Sequence, residues 1–252
     1  LGKLFQGRRV LDVGMGAGPF AVAYVESGAA MYAGVDPLVG SDQVRDFRSW
    51  KDPTIPTYHA FPFSANDVER IYPNIRLYSA LLEDVASEVK RHRPNFALMT
   101  SVTEHLRYPD RVIRTIWEVL DRDGILWSNH QNYYSWTGHH AQPRDVSSWD
   151  RKNPAHNSVV DWKHLEPTHP AHANVTLNRI RLEDLRLIFA KYFEIESWDA
   201  SVNGKEVLRL TPEIRMKWRK YSLAELLTRT VVMVGRRRDV PLDIDFEGRQ
   251  FH

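Results

Sequence analysis

The chain has 252 residues and nearly balanced charge, 34 Lys+Arg against 32 Asp+Glu, for a formal net charge of +2. So small a surplus argues against a nucleic-acid-binding protein, whose affinity for phosphates needs a large cationic excess. A hydrophobic share of 42% with 26% charged residues excludes wholesale disorder, and the lack of cysteine excludes disulfides, thiolate nucleophiles and Cys-ligated zinc.

No apolar run reaches the ~18 residues of a membrane-spanning helix, and residues 1–10 lack the apolar centre of a signal peptide. A cytoplasmic protein is the expectation, and a start at Leu1 rather than Met suggests a piece of a longer chain. The length suits one domain, residues 1–252, with elaborations.

Arg9-Val10-Leu11-Asp12-Val13 reads as a buried parallel strand, an apolar run holding one acid. It leads straight into Gly14-Met15-Gly16-Ala17-Gly18. Beyond Pro19, apolar Phe20, Val22, Ala23 and Val25 recur at helical spacing until Gly28 closes the helix. A second strand, residues 30–35, ends in Asp36-Pro37. Strand, glycine turn, helix, strand and acid make half of a doubly wound nucleotide-binding fold. The glycines let the backbone approach a ligand closely, and the start of the helix offers unpaired N–H groups. A carboxylate at the tip of the second strand can accept hydrogen bonds from both hydroxyls of a ribose. A dinucleotide fingerprint, Gly-x-Gly-x-x-Gly, would need glycine where Pro19 stands, whereas the observed spacing is Gly14-x-Gly16-x-Gly18. Asp12, two residues ahead of the first glycine, suits a ligand bearing an ammonium group better than one bearing a pyrophosphate.

Residues 10–18 and Gly34-Val35-Asp36 together resemble the first two motifs of class I S-adenosylmethionine-dependent methyltransferases. The resemblance implies an α/β, Rossmann-like fold, with a seven-stranded, mostly parallel sheet whose last strand is antiparallel. It also implies S-adenosyl-L-methionine as cofactor. Gly14, Gly16 and Gly18 would then shape the cofactor loop, Asp12 would act near the methionine end, and Asp36 would hold the ribose.

The following elements continue the same order. A helix over residues 65–72 precedes a third strand over 74–78. In the family, the residues just past this strand bracket the adenine. Here Leu81 stands where relatives often carry an acid, so adenine would be held by apolar contact with Leu81 and Leu82, with Glu83 as a polar partner. A helix over 85–92 leads to the fourth strand, residues 96–101, and then to Val102-Thr103-Glu104-His105-Leu106. Ser101 to Thr103 would line the methionine side through backbone groups. A helix over 110–120, the turn Asp121-Arg122-Asp123-Gly124 and a fifth strand over 125–129 follow. This run is similar to that of small-molecule methyltransferases, including ubiquinone-type O-methyltransferases, and carries the resemblance over residues 9–130. A helix over 182–191 and strands over 192–202 and 228–234 supply the late elements. Arg236-Arg237-Arg238 reads as a solvated strand end rather than a nucleic-acid site.

Three stretches stand outside this core. Residues 38–64 hold Pro53, Pro56 and Pro62 among aromatic side chains. Residues 130–178 hold seven of the eleven histidines, together with Trp136, Trp149 and Trp162. Both emerge where ligands bind in such sheets, so both read as a substrate lid whose aromatics wall an apolar or sugar-stacking pocket. Residues 203–227 read as a helical insertion that could cover the acceptor or form a homodimer contact.

Methyl transfer to a hydroxyl needs in-line alignment, exclusion of water and a general base. His139 and His140 lead as bases, presented by a Gly138 hinge, and His130 and His105 follow because both stand near strand ends. A metal held by His139, His140, His164, His169 or His172 with Asp145 or Asp161 matches no zinc spacing, and Pro167 and Pro170 interrupt the run. No metal site is expected. The expected activity is O-methylation of a small-molecule acceptor, a sugar, polyol or natural product. The alternatives are N-methylation of an amine or RNA base and a catalytically inactive cofactor-binding module. An Asn-Pro-Pro-Tyr-type signature of base N-methylation does not follow the fourth strand.

Overall fold

A computed structural model describes residues 2–16, 18, 20–37, 65–169, 177–246 and 251. Seven strands form one sheet: β1 (Arg9–Val13), β2 (Met31–Val35), β3 (Ile75–Tyr78), β4 (Phe96–Thr100), β5 (Ile125–Gln131), β6 (Phe193–Val202) and β7 (Thr228–Arg237). Their spatial order is β3-β2-β1-β4-β5-β7-β6. The pairs from β3 across to β5 are parallel, and β7 runs antiparallel to both β5 and β6. This is the sheet that the motif resemblance implies.

Parallel pairing needs crossovers, and the helices that make them bury both faces of the sheet. On one face lie α1 (Gly2–Phe5), α2 (Ala21–Glu26) and α3 (Ala65–Ile71); on the other lie α4 (Ala86–Arg91), α5 (Pro109–Val119) and α7 (Leu182–Tyr192), with α6 (Pro154–Val159) in the connection before α7. Along β1 the side chains alternate accordingly: Val10 packs with Ala21 and Val22, while Leu11 and Val13 join Ile113, Ile116 and Phe189. In α5, Val112, Ile113, Ile116 and Val119 are buried at helical spacing, with Pro109 in the first turn.

A third core lies apart from the sheet faces. Tyr133, Tyr134, Trp136, Val160, Trp162 and Leu165 from the β5–α7 connection pack against Trp218 and Leu226. Short helices fill the stretch between β6 and β7, α8 (Gly204–Val207), α9 (Pro212–Lys217) and α10 (Leu223–Leu227); Trp218 caps the end of α9 and Leu226 lies in α10. The indole N–H of Trp162 donates to the carbonyls of Tyr134 (3.0 Å) and Leu226 (3.2 Å), joining the two connections. Trp136 and Trp162 are fully buried, so they form the interior of this third core rather than the expected wall of a pocket. Gly138 is likewise no hinge: a Cβ there would lie 1.8 Å from the Tyr133 carbonyl oxygen, so glycine is required for close packing.

Two other expectations change. β5 runs on to Gln131, which places His130 inside a strand, paired with Val231. The three arginines at the end of β7 are tied to the protein itself. Arg236 pairs with Glu196, Arg237 donates to the Trp117 carbonyl, and Arg238 donates to the carbonyls of Ala190 and Phe193. The expected lid segment 38–64, together with His172 in 170–176, lies outside the described residues.

Candidate active site

Gly14, Gly16 and Gly18 all adopt left-handed φ values, +72°, +57° and +66°, which side chains other than glycine rarely tolerate. The loop is anchored from below by Gly14 N–H donating to the Val35 carbonyl (2.8 Å), and by Gly18 N–H donating to the Met15 carbonyl (2.9 Å). A Cβ on Gly16 would meet nothing within 4 Å among the described residues, which leave its outer face open. At the tip of β2 the Asp36 carboxylate accepts the Gly16 N–H at 2.8 Å. Loop and acid therefore form one unit, with a carboxylate 8% exposed at the rim of an open backbone cradle. The α2 helix that follows has only six residues, so the cradle rests on the loop and the acid.

Asp12 sits behind this loop. It is 7% exposed and accepts the Tyr32 hydroxyl at 2.8 Å. Burial pushes its carboxyl up to about 6, from the ordinary 3.8; the Tyr32 hydrogen bond opposes this, and the nearby Asp36 charge adds to it. The folded state thus holds this proton more tightly than the unfolded chain does. Its ionisation costs stability as pH rises from about 4 to 6, and that cost is complete above 6. Asp12→Asn is expected to stabilise the protein by about 3 kcal/mol at neutral pH, with the gain vanishing below pH ~4. Urea unfolding at the two pH values checks this, and an equal effect at both would contradict it.

On the adenine side, Leu81 is 54% exposed and free to meet a ring, and Glu83 is half-buried beside it. Leu82 is 3% exposed within the sheet core, so it faces away from any ligand there.

The glycine loop abuts the turn after β4. A Cβ on Gly14 would lie 2.4 Å from a Val102 methyl. Ser101, just before that turn, has φ +54°, a strained value for serine, and its hydroxyl accepts from the Gln131 side chain at 3.1 Å. Thr103, expected to line the methionine side through its backbone, has its side chain engaged with β5. It is fully buried, its hydroxyl lies 2.8 Å from His130 Nδ1, and its carbonyl accepts from Asn178. Glu104 is 1% exposed, with Oε2 3.4 Å from the Thr103 hydroxyl and 3.8 Å from His130 Nδ1. Burial raises its carboxyl to about 7, against opposing hydrogen bonds from its own and the Gln131 backbone and from Thr103.

Three imidazoles gather over this turn. His105 and His140 meet edge to face, with ring centroids 5.6 Å apart. Burial, aided by the neighbouring His140 and His105, depresses His130 to about 3. Burial and His105 depress His140 to about 4, and its φ of +55° marks a second strained backbone position. Nε2 of His130 and Nε2 of His140 are buried with no partner among the described residues. His139 Nε2 is likewise buried with no partner among the described residues, but its Nδ1 accepts the Ala141 N–H, and its ring packs against Trp136 and His164 rather than His105. Among the described residues no group of three His, Asp or Glu side chains is arranged to hold a metal ion.

The methyltransferase domain family matches residues 1–200. The chain belongs to that family. It is a class I, S-adenosylmethionine-dependent methyltransferase, with S-adenosylmethionine as its cofactor. Among solved structures, a Listeria monocytogenes protein described as an S-adenosylmethionine dependent methyltransferase is similar over 93% of this chain and 92% of its own, at 17% identity and a TM-score of 0.54. An S-adenosylmethionine dependent methyltransferase of Mesorhizobium loti is similar over 92% of both chains, at 13% identity and a TM-score of 0.50. These likenesses concern the fold. No curated protein sequence matches the methyltransferase.

Glu104 is the member of this buried cluster that the sequence alone does not single out. Its sequence signal was the run Thr103-Glu104-His105 at a strand end, but its partner, His130, comes from the neighbouring strand.

Proposed function

We propose that this methyltransferase O-methylates a hydroxyl of a small-molecule acceptor, with a histidine at the ends of β4 and β5 taking the proton. The observation that carries this reading is the group of His105, His130 and His140 beside the glycine loop. Two of these rings stay uncharged at neutral pH and carry buried, unpartnered ring nitrogens. An uncharged imidazole can accept a proton from a hydroxyl, whereas a protonated one cannot. The near-neutral chain and the packed lid favour a small acceptor over nucleic acid. Bound S-adenosylmethionine supplies an electrophilic sulfonium methyl. Gly14, Gly16 and Gly18 would leave it room, Asp36 would hold its ribose, and Leu81 and Glu83 would border its adenine. The lid would align the acceptor and exclude water. No helix among the described residues is long and apolar enough to cross a membrane.

The direct test is release of S-adenosylhomocysteine across a panel of sugars, polyols, phenols and amines. Turnover confined to hydroxyl compounds supports the reading; turnover confined to amines replaces it with N-methylation. Asp36→Ala tests the cradle separately. It should weaken S-adenosylhomocysteine binding by roughly 1.5–3 kcal/mol, the cost of losing hydrogen bonds to a charged group. Unchanged affinity in a calorimetric titration would remove Asp36 from the ribose site.

A further inference from the structure

On the reading of a histidine proton acceptor, we propose that Thr103 and Glu104 form a proton relay behind His130, so that the proton taken up at His130 Nε2 comes to rest on the Glu104 carboxylate. Glu104 would be a positioning and proton-holding residue, separated from the acceptor by the side chains of His130 and Thr103.

The geometry is that of a chain. Thr103 Oγ1 lies 2.8 Å from His130 Nδ1 and 3.4 Å from Glu104 Oε2, while the direct distance from imidazole to carboxylate is 3.8 Å. Thr103 has one hydroxyl proton to give. Donated to the ionised Glu104, it leaves the threonine oxygen to accept from His130 Nδ1–H, and His130 Nε2 is then a bare lone pair. That nitrogen is buried and has no partner among the described residues, as is Glu104 Oε1. The three side chains are 0%, 1% and 2% exposed for Thr103, Glu104 and His130, so water does not compete within the chain.

The surroundings favour the carboxylate as the resting place. Glu104 is held by N–H groups of its own backbone and of Gln131 on β5, and the His130 imidazole lies 3.8 Å from its carboxylate. Behind His130 stand His105, from the same turn as Glu104, and His140, from the lid; both disfavour a positive charge on His130. Asn178, packed against this turn, contributes neutral hydrogen bonds only, to the carbonyls of Thr103 and Leu106 and, through its backbone N–H, to Glu104. Burial raises Glu104 and lowers His130, so a proton shared between them belongs on the acid.

The transfers balance. The acceptor O–H bond breaks with its electron pair staying on oxygen, and an N–H bond forms at His130 Nε2. His130 Nδ1 gives its proton to Thr103 Oγ1, and Thr103 gives its own to Glu104 Oε2. The imidazole ends neutral with its proton on Nε2, and Glu104 ends neutral.

The His130 tautomer should therefore follow the ionisation of Glu104, and this can be read without knowing the acceptor. Nitrogen NMR of the full chain labelled at histidine should show the His130 pair, identified by its loss in His130→Gln. Above a midpoint near neutral pH it should be the Nδ1–H form. Below that midpoint it should be the Nε2–H form, with no imidazolium appearing. Glu104→Gln and Thr103→Val should abolish the midpoint, and Thr103→Ser should keep it. A wild-type tautomer that stays constant through the neutral range overturns the relay, as does a midpoint that survives in Thr103→Val. If Thr103→Val fails to fold, the wild-type titration and Glu104→Gln decide alone. S-adenosylhomocysteine titrated into the same samples separates the two readings. Binding with a fixed tautomer sinks the relay only, whereas a tautomer switch without binding sinks the methyl-transfer reading only.

Discussion

His130→Gln should lower kcat for methyl transfer by ~10²–10⁴-fold, or about 3–5 kcal/mol of barrier, which is the usual worth of a general base. Glutamine keeps much of the volume and can still bond the Thr103 hydroxyl, but it has no lone pair able to take a proton. The cradle is built from β1 and β2, so the affinity for S-adenosylhomocysteine should remain that of the wild type. The measurement is steady-state kinetics with a hydroxyl acceptor, beside calorimetry for the cofactor product. A variant that keeps full turnover places the base elsewhere, and His140, whose buried Nε2 also lacks a partner among the described residues and whose ring meets His105, is then the next candidate. His139→Gln makes the contrast. With its Nδ1 already accepting the Ala141 N–H, that residue should affect the stability of the lid more than the chemistry.

Trp162→Ala should cost ~3–5 kcal/mol of stability, as large-to-small changes at fully buried aromatic positions do. Two effects combine. The indole fills the centre of the third core, and its N–H satisfies two carbonyls from segments 64 residues apart in Leu226 and 28 apart in Tyr134. Trp162→Phe separates them, since it keeps most of the apolar contact and removes the donor; about 1–3 kcal/mol is then expected for leaving buried carbonyls unpaired. Urea unfolding of both variants checks the pair. A loss under about 1 kcal/mol for the alanine variant would mean that the lid stands without its central ring.

The glycine loop and the acid at the tip of β2 could be read from the chain because their signals are local. The strand Arg9–Val13, three glycines at alternate positions and Asp36 lie within 28 residues, and each has a backbone reason to be where it is. The histidine cluster could not be read this way. Which histidines face the site depends on partners far away in sequence. His130 and His139 look alike in the chain, yet one bonds Thr103 across two strands and the other bonds the next turn of its own loop. The tryptophans resembled pocket walls because nothing local reveals that Trp218 and Leu226 return to cover them. The same holds for the arginines ending β7. A run of like charges reads as solvated until the helix carbonyls that accept from it are placed. Glycines misled in one instance. Gly138 signalled freedom by type, while its real constraint is the Tyr133 carbonyl pressed against it.

The position of β7 between β5 and β6 has a consequence for the order of assembly. The strands that carry the glycine loop and Asp36 find all their neighbours, β1 through β4, within the first hundred residues. His130 must wait for Val231 beside it, and Asn132 for the carbonyls of Glu225 and Thr228. Closing such distant pairs is slow relative to local ones. During synthesis the cofactor cradle can therefore form well before the acceptor chamber. A truncated or stalled chain would hold its cofactor side without the histidines in place, and so would bind without transferring.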